Sequence, residues 1–380
     1  MDFSLAEERR LLQDTVVRFI AKEYTFESRR ARSRLPEGFS RETWKQIAEL
    51  GLLGVAIPEG DGGLGGDAID TMVVMEAFGR GLVLEPYLST VVLGAGAIVE
   101  AGSTGQKAAW IPAVVGGEKI LAFAHGEAAS RYDTRHVETK AVKQGNGWKL
   151  DGAKAVVLDA PGADALIVSA RTAGATGEAR GISLFIVDAK AKGVAMRAYA
   201  TQDGARGADV KLDGVTLGPD ALLGREGEAL PVIERALDRA NAALCAEALG
   251  IMDALNEATL EYLKTRKQFG RAIGSFQALQ HRMVDMTIRA VEARSMAIVA
   301  ASGANHADAR ERQRMVSAAK ALVGQAGRFV GQQAIQLHGG IGVTDELVVS
   351  HWFKRLTIIN ATYGDADYHL ARFSDLLLAQ

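Results

Sequence analysis

Cysteine is almost missing from this chain: there is one, Cys245, in 380 residues. A lone thiol closes no internal disulfide, and such sparse usage fits a reducing cytoplasm. The Ala- and Leu-rich surroundings of Cys245 make it a core filler rather than a nucleophile. An excess of either charge is missing too. The formal net charge is −2, which argues against a surface built for nucleic acid or another polyanion. No apolar run approaches the roughly 20 residues that a membrane-spanning helix needs. No leader is expected, because the chain turns charged between Met1 and Arg10. The seven histidines show no metal-ligand spacing, so no metal site is expected. His281, His338, His351 and His369 read as helix or interface residues. Repeats and low-complexity segments are absent as well.

What remains is an ordinary globular composition, 48% hydrophobic and 24% charged, long enough for two or three domains around a sizeable core. The grammar changes twice along it. Residues 1–118 read as a helical domain, opening on a capping box at Ser4–Glu7 with Leu5, Leu12, Val16 and Phe19 behind it. A second helix near Arg41–Glu49 ends at Gly51. The glycine-rich stretch Pro58–Gly66 reads as a loop, and Asp70–Gly79 and Leu88–Glu100 return to helical spacing. Pro58–Gly66 is no phosphate loop, because neither a preceding strand nor a Gly-Lys-Ser/Thr ending frames it.

Residues 119–222 read as short Val- and Ile-rich strands, with a hairpin signal at Gly145–Gly147. Closely spaced strands of this kind suggest a small barrel or sandwich. Residues 223–380 return to long helices. Leu279, Met283, Met286, Ala290, Ala293 and Ala297 form one amphipathic stripe, and a four-helix bundle is expected. The fold class is therefore α+β.

Two segments stand out. Tyr262–His281 places Arg266, Gln268, Phe269, Gly270, Arg271, Gly274, Phe276 and Gln277 in the pattern Y-x3-R-x-Q-F-G-R-x-I-G-S-F-Q. Farther on, Gln336–Glu346 carries Gln336, Gly339, Gly340, Gly342 and Thr344 as Q-x-x-G-G-x-G-x-T. Both resemble signatures of the acyl-CoA dehydrogenase family, and the order of helices, strands and helices is similar along the whole chain. The resemblance implies an FAD cofactor, an acyl-CoA substrate and an electron-transfer flavoprotein or similar acceptor. It also implies that Arg266, Phe269, Gln277, Gln336, Gly339 and Gly340 reach the flavin of a neighbouring subunit. The residue types suit that task. The planar fork of an Arg gives directed donors to a pyrophosphate, and glycine lets the backbone approach a cofactor closely.

The residues that the family uses for chemistry look altered. Its base is the Glu of a Y-E-G-T sequence, and here Tyr363 stands at that position, within Ile358–Asp367. A Tyr with an ordinary pKa near ~10 is a poor base at neutral pH. Asp365 stands where a small threonine approaches the flavin. Relatives that carry the base on the first bundle helix have it at the position of Ala240, followed by an Arg at that of Asn241. Asp238 and Glu247 are the nearest acids and the weak catalytic candidates.

In the strand region the family's T-E-P-x-x-G-S-D reads His125–Asp133, and its K-M-W-I-T reads Lys154–Leu158. Val156 and Leu158 offer neither an aromatic wall nor a hydroxyl donor. Arg131 could meet a distal carboxylate or a CoA phosphate, or be a surface charge. The ending Gly364–Arg372 is similar to that of one subunit of heteromeric bacterial members acting on steroid side chains or dicarboxylic acids, and the overall pattern, including Val74–Arg80 and Val83–Tyr87, is similar to the small subunit of pimeloyl-CoA dehydrogenase.

Three expectations follow from the resemblance. The chain is a subunit of a hetero-oligomer whose homologous large subunit carries the base. Alternatively it is a self-sufficient homo-oligomer with a displaced base, or a non-catalytic assembly or acyl-CoA-binding subunit. All three place it in the cytoplasm, without a membrane span or nucleic acid.

Overall fold

The computed structural model describes residues 6–378. Ser4 and Leu5 lie outside them, and α1 (Glu7–Glu23) opens after Ala6 with no side-chain cap. The helices α2 (Phe26–Ser33), α3 (Arg41–Glu49) and α4 (Ala68–Gly81) follow, then α5 (Gly96–Ala101) and α6 (Thr104–Val115). Leu88–Ala95, expected to be α-helical, is wound as a π-helix. The strands are β1 (Leu121–Ala124), β2 (Lys140–Gln144), β3 (Gly147–Leu158), β4 (Ala165–Arg171), β5 (Ile182–Asp188), β6 (Val194–Ala200), β7 (Arg206–Leu217) and β8 (Leu222–Leu223). Then comes the 36-residue α7 (Leu230–Thr265), and a small hairpin of β9 (Lys267–Gln268) and β10 (Arg271–Ala272). The chain ends in α8 (Gln277–Gly303), α9 (Ala309–His338), α10 (Val348–Ala361) and α11 (Ala366–Leu378). None of the described helices is long and apolar enough to cross a membrane.

Contacts divide the chain into two compact units. One gathers residues through Arg30, Ala68–Val83 and the chain from Asn241 onward; the other holds Ala31–Asp67 and Leu84–Ala240. The helical unit is held by close helix packing. Met286, Ala290, Ala293 and Ala297 are buried on one face of α8, as the alanine stripe requires. The α4 and α7 helices meet at two buried glycines, Gly79 and Gly250, each against a carbonyl of the facing helix.

The second unit carries an eight-stranded sheet in the order β6-β7-β3-β2-β4-β5-β8, with β1 added to β4. The β2 and β4 strands touch only at Lys140 and Arg171, so one bridge joins two four-stranded lobes. The hairpin forms where the sequence places it. Gln144 pairs with Gly147, and Gly145 takes the positive φ of 62° that a two-residue loop needs. Every residue of β4 is buried, which explains its apolar opening Ala165–Val168.

Candidate cofactor and catalytic site

The two signature segments lie side by side in the helical unit. Tyr262, in the last turn of α7, stacks on His338 at the end of α9 with ring centroids 4.5 Å apart. Arg282 of α8 donates to Gln333 of α9 at 3.0 Å. Arg266 leaves α7 exposed and opens the β9–β10 hairpin, whose tip is Phe269, 89% exposed at a left-handed φ of 54°. Gln277 begins α8, and Gln336 lies exposed in the last turn of α9. Gly339 (φ 65°) and Gly340 have open space where a Cβ would point. An exposed cation, an apolar ring, two amides and an unobstructed glycine turn fit an anionic dinucleotide.

The corner between α10 and α11 holds Tyr363, the residue expected at the position of the base. Tyr363 has φ 55° and Gly364 φ 115°, so two successive residues are left-handed. Asp365 is not directed at a reacting group: its Oδ1 accepts from the Tyr368 N–H at 2.8 Å and caps α11. Nor is Glu247 available as a base. It is buried and held by Arg355 through two bonds, at 2.5 and 2.7 Å. Ala240 is buried, and the Nδ2 of Asn241 donates to the Tyr363 carbonyl at 3.3 Å. Asp238, described within the sheet unit, is 1% exposed.

Beneath the corner lies Lys320, a residue that reading the sequence had passed over. It sits among Val316, Ala319 and Val323 on the buried face of α9, and a lysine inside that apolar stripe was the available signal. Burial lowers its pKa to about 8. Burial also pushes the Cys245 thiol up to about 12, so it stays protonated and inert.

In the sheet unit, the segments matching T-E-P and K-M-W-I-T form one buried polar network. Glu127 accepts from Lys154 Nζ at 2.7 Å, from the Thr139 hydroxyl at 2.7 Å, and from the N–H groups of Glu138 and Thr139. Lys154 donates also to Ser169 Oγ at 3.0 Å, and Ser169 Oγ is hydrogen-bonded to His125 Nδ1 at 2.9 Å. Burial lowers the Lys154 pKa to about 8, and Glu127 opposes that shift. Beyond Lys154 the β3 strand bulges. Val156 is exposed there at φ 53°, an outlier for a β-branched residue, with its N–H on Asp209 Oδ1 at 3.2 Å. Arg131 is exposed and left-handed at φ 46°. Glu127, His136 and Glu138 bring ligand atoms within 4.8 Å of one another, but Glu127 is already neutralised by Lys154.

Two histidines are stored neutral. Burial first, then Lys154, lowers the His125 pKa to about 3; burial, then Lys320, does the same for His369. Both folded values lie below the ordinary 6.5. The unfolded state therefore takes up protons first: stability is complete above pH 6.5 and falls as the pH drops toward 3. Each imidazole contributes a loss of about 2 kcal/mol between pH 6.5 and 5. Urea unfolding at pH 7.5, 6 and 5 should show a drop of about 4 kcal/mol for the pair. A midpoint flat to pH 5 would contradict the burial of both groups.

Three family models match the chain: the acyl-CoA dehydrogenase N-terminal domain over residues 6–118, the middle domain over 122–215 and the C-terminal domain over 227–377. The probable acyl-CoA dehydrogenase YngJ of Bacillus subtilis is 30% identical over 372 residues, covering 97% of each chain. A solved variant of the Tcur3481–Tcur3483 steroid ACAD is 32% identical, with TM-score 0.89 over 99% of each chain. The ChsE4–ChsE5 complex from Mycobacterium tuberculosis is 28% identical, with TM-score 0.88 over 100% of each chain. The chain belongs to the acyl-CoA dehydrogenase family, with that family's three-domain architecture of helices, sheet and helical bundle. It is an oxidoreductase and a flavoprotein, with FAD as its cofactor.

Proposed function

We propose that this chain is one subunit of a heteromeric, cytoplasmic acyl-CoA dehydrogenase whose catalytic base is carried by a homologous partner. The observation that carries the reading is the α10–α11 corner. Tyr363 occupies the base position, Asp365 is committed to capping α11, and Glu247 is committed to Arg355. Removing an α-proton from a thioester near neutral pH calls for a carboxylate within hydrogen-bond reach, and none of these three groups meets that need. Bound FAD supplies the acceptor for the hydride that leaves the β-carbon. This chain's share is to hold its anionic half through Arg266, Gln277, Gln336, Gly339 and Gly340, with Phe269 against the adenine side. The similarity to two assemblies named for two polypeptides each supports the heteromeric reading. Substrates to try first are dicarboxylyl- and steroid side-chain CoA thioesters, with an electron-transfer flavoprotein as acceptor.

The test is the visible absorbance of the protein purified alone and after co-expression with a homologous chain encoded beside it. The expected result is a colourless or flavin-poor lone protein and a yellow mixed complex whose absorbance bleaches on adding acyl-CoA. Stoichiometric flavin in the lone protein, bleached equally well, overturns the reading. It would turn attention to Asp238, with Asp238→Asn as the next variant. A mixed complex that never takes up flavin would leave a non-catalytic assembly subunit.

A further inference from the structure

Three carbonyl oxygens in succession at the α10–α11 corner are each held by a buried side chain, and the side chains come from three helices. Lys320 of α9 donates to the Thr362 carbonyl at 2.7 Å and the Gly364 carbonyl at 2.8 Å. The Tyr363 carbonyl between them accepts from Asn241 of α7 at 3.3 Å and from His369 Nε2 of α11 at 3.1 Å. None of these three side chains is more than 2% exposed. Among the described residues no carboxylate lies at ion-pair distance from Lys320, so a wholly buried ammonium is used on two peptide groups.

A helix end needs nothing so elaborate. Glycine at the first left-handed position after the C-cap closes many helix ends without side-chain help. Here that position holds a tyrosine, and the glycine comes one residue later, packed so closely that a Cβ on it would sit 2.5 Å from His369 Nε2. The chain keeps an unfavourable tyrosine conformation and surrounds it with donors that hold it there. Strain over-determined in this way marks a functional position.

We infer that Lys320, seconded by Asn241 and His369, is a positioning residue that fixes the Tyr363 side chain for the acyl-CoA reaction. This rests on the dehydrogenase reading proposed above. Lys320 acts through the backbone and touches no reacting atom. Its contribution is a single orientation of residue 363 where an unclamped corner would sample several.

The experiment uses whichever assembly, lone or mixed, turns over acyl-CoA, labelled with 3-fluorotyrosine. Comparison with Tyr363→Phe identifies the fluorine line of Tyr363. Lys320→Met keeps the length of the side chain and removes its donors. Val330→Ala, buried on the same helix and away from the corner, serves as the control for simple destabilisation. Lys320→Met should shift or split the Tyr363 line and lower kcat per bound FAD at least ten-fold, with flavin content unchanged; Val330→Ala should do neither. If Lys320→Met does not fold, Asn241→Ala removes one bond only and should show a line shift with about a three-fold loss. A lower melting temperature with both line and kcat unchanged overturns the inference. So does a moved line with full kcat. A moved line in a protein with no acyl-CoA turnover in any wild-type assembly sinks the dehydrogenase reading and leaves the clamp standing.

Discussion

Replacing Gly250 by alanine should destabilise the helical unit by more than about 4 kcal/mol, enough to abolish soluble expression at 37 °C. Helix propensity alone gives the opposite sign, because Gly→Ala in a helix interior gains about 1 kcal/mol. Tertiary packing decides. Gly250 lies in α7, where a Cβ would fall on the Glu76 carbonyl oxygen of α4 and close to the Arg80 nitrogen, and the reciprocal Gly79 faces the Glu247 carbonyl in the same way. Both obstacles are backbone, so no side-chain rotation relieves them, and separating the helices would open the core around Val74 and Leu249. Gly105, exposed near the start of α6, has only Ser103 Oγ at 3.9 Å and provides the control. Urea midpoints of Gly105→Ala and Gly250→Ala should move in opposite directions. Equal, small shifts would show that the two helices do not cross in this register.

Glu127→Ala should lower stability by about 3–5 kcal/mol, the usual loss when one partner of a buried ion pair is removed. Lys154 has no solvent-exposed side-chain surface, and Glu127 is the carboxylate that raises its pKa. Without Glu127, the lysine escapes burial of its charge by losing its proton. Holding it neutral at pH 7 against an ordinary 10.5 limits the loss to about 5 kcal/mol. The folded wild-type lysine itself loses its proton near pH 8, so the deficit should shrink as the pH rises from 7 to about 8 and level off above it, where Lys154 is neutral in both proteins. Glu127→Gln combined with Lys154→Met removes both charges and should recover most of the stability. Urea titrations at pH 7 and 9.5 on the single and double variants measure this. A double variant no better than Glu127→Ala would mean that the pair contributes through shape rather than charge.

The proposed flavin surface is drawn from local segments. Arg266, Phe269, Gln336 and Gly340 stand in short contiguous segments, and spacing is a local property. The structure adds the Tyr262–His338 stack, which brings residues 76 positions apart in the chain to one surface. Tyr363 and Val156 could be singled out as residue types, but their left-handed backbones could not. Neither tyrosine nor valine favours that conformation, and only tertiary hydrogen bonds hold it. Glu247 illustrates the limit. In sequence it is an acid near the right place, and only the approach of Arg355 shows that both its oxygens are engaged in a buried ion pair.

The sequence by itself determined the α+β order of elements, the α8 stripe and the Gly145 hairpin. Each depends on periodicity or turn chemistry within a few residues. Only the tertiary structure decided the π-winding of Leu88–Ala95, the Gly79–Gly250 crossing, the Glu127–Lys154–Ser169–His125 network and the clamp beneath Tyr363. These depend on groups from distant parts of the chain arriving at one place. Burial then gives each hydrogen bond and charge a weight that no local pattern can express.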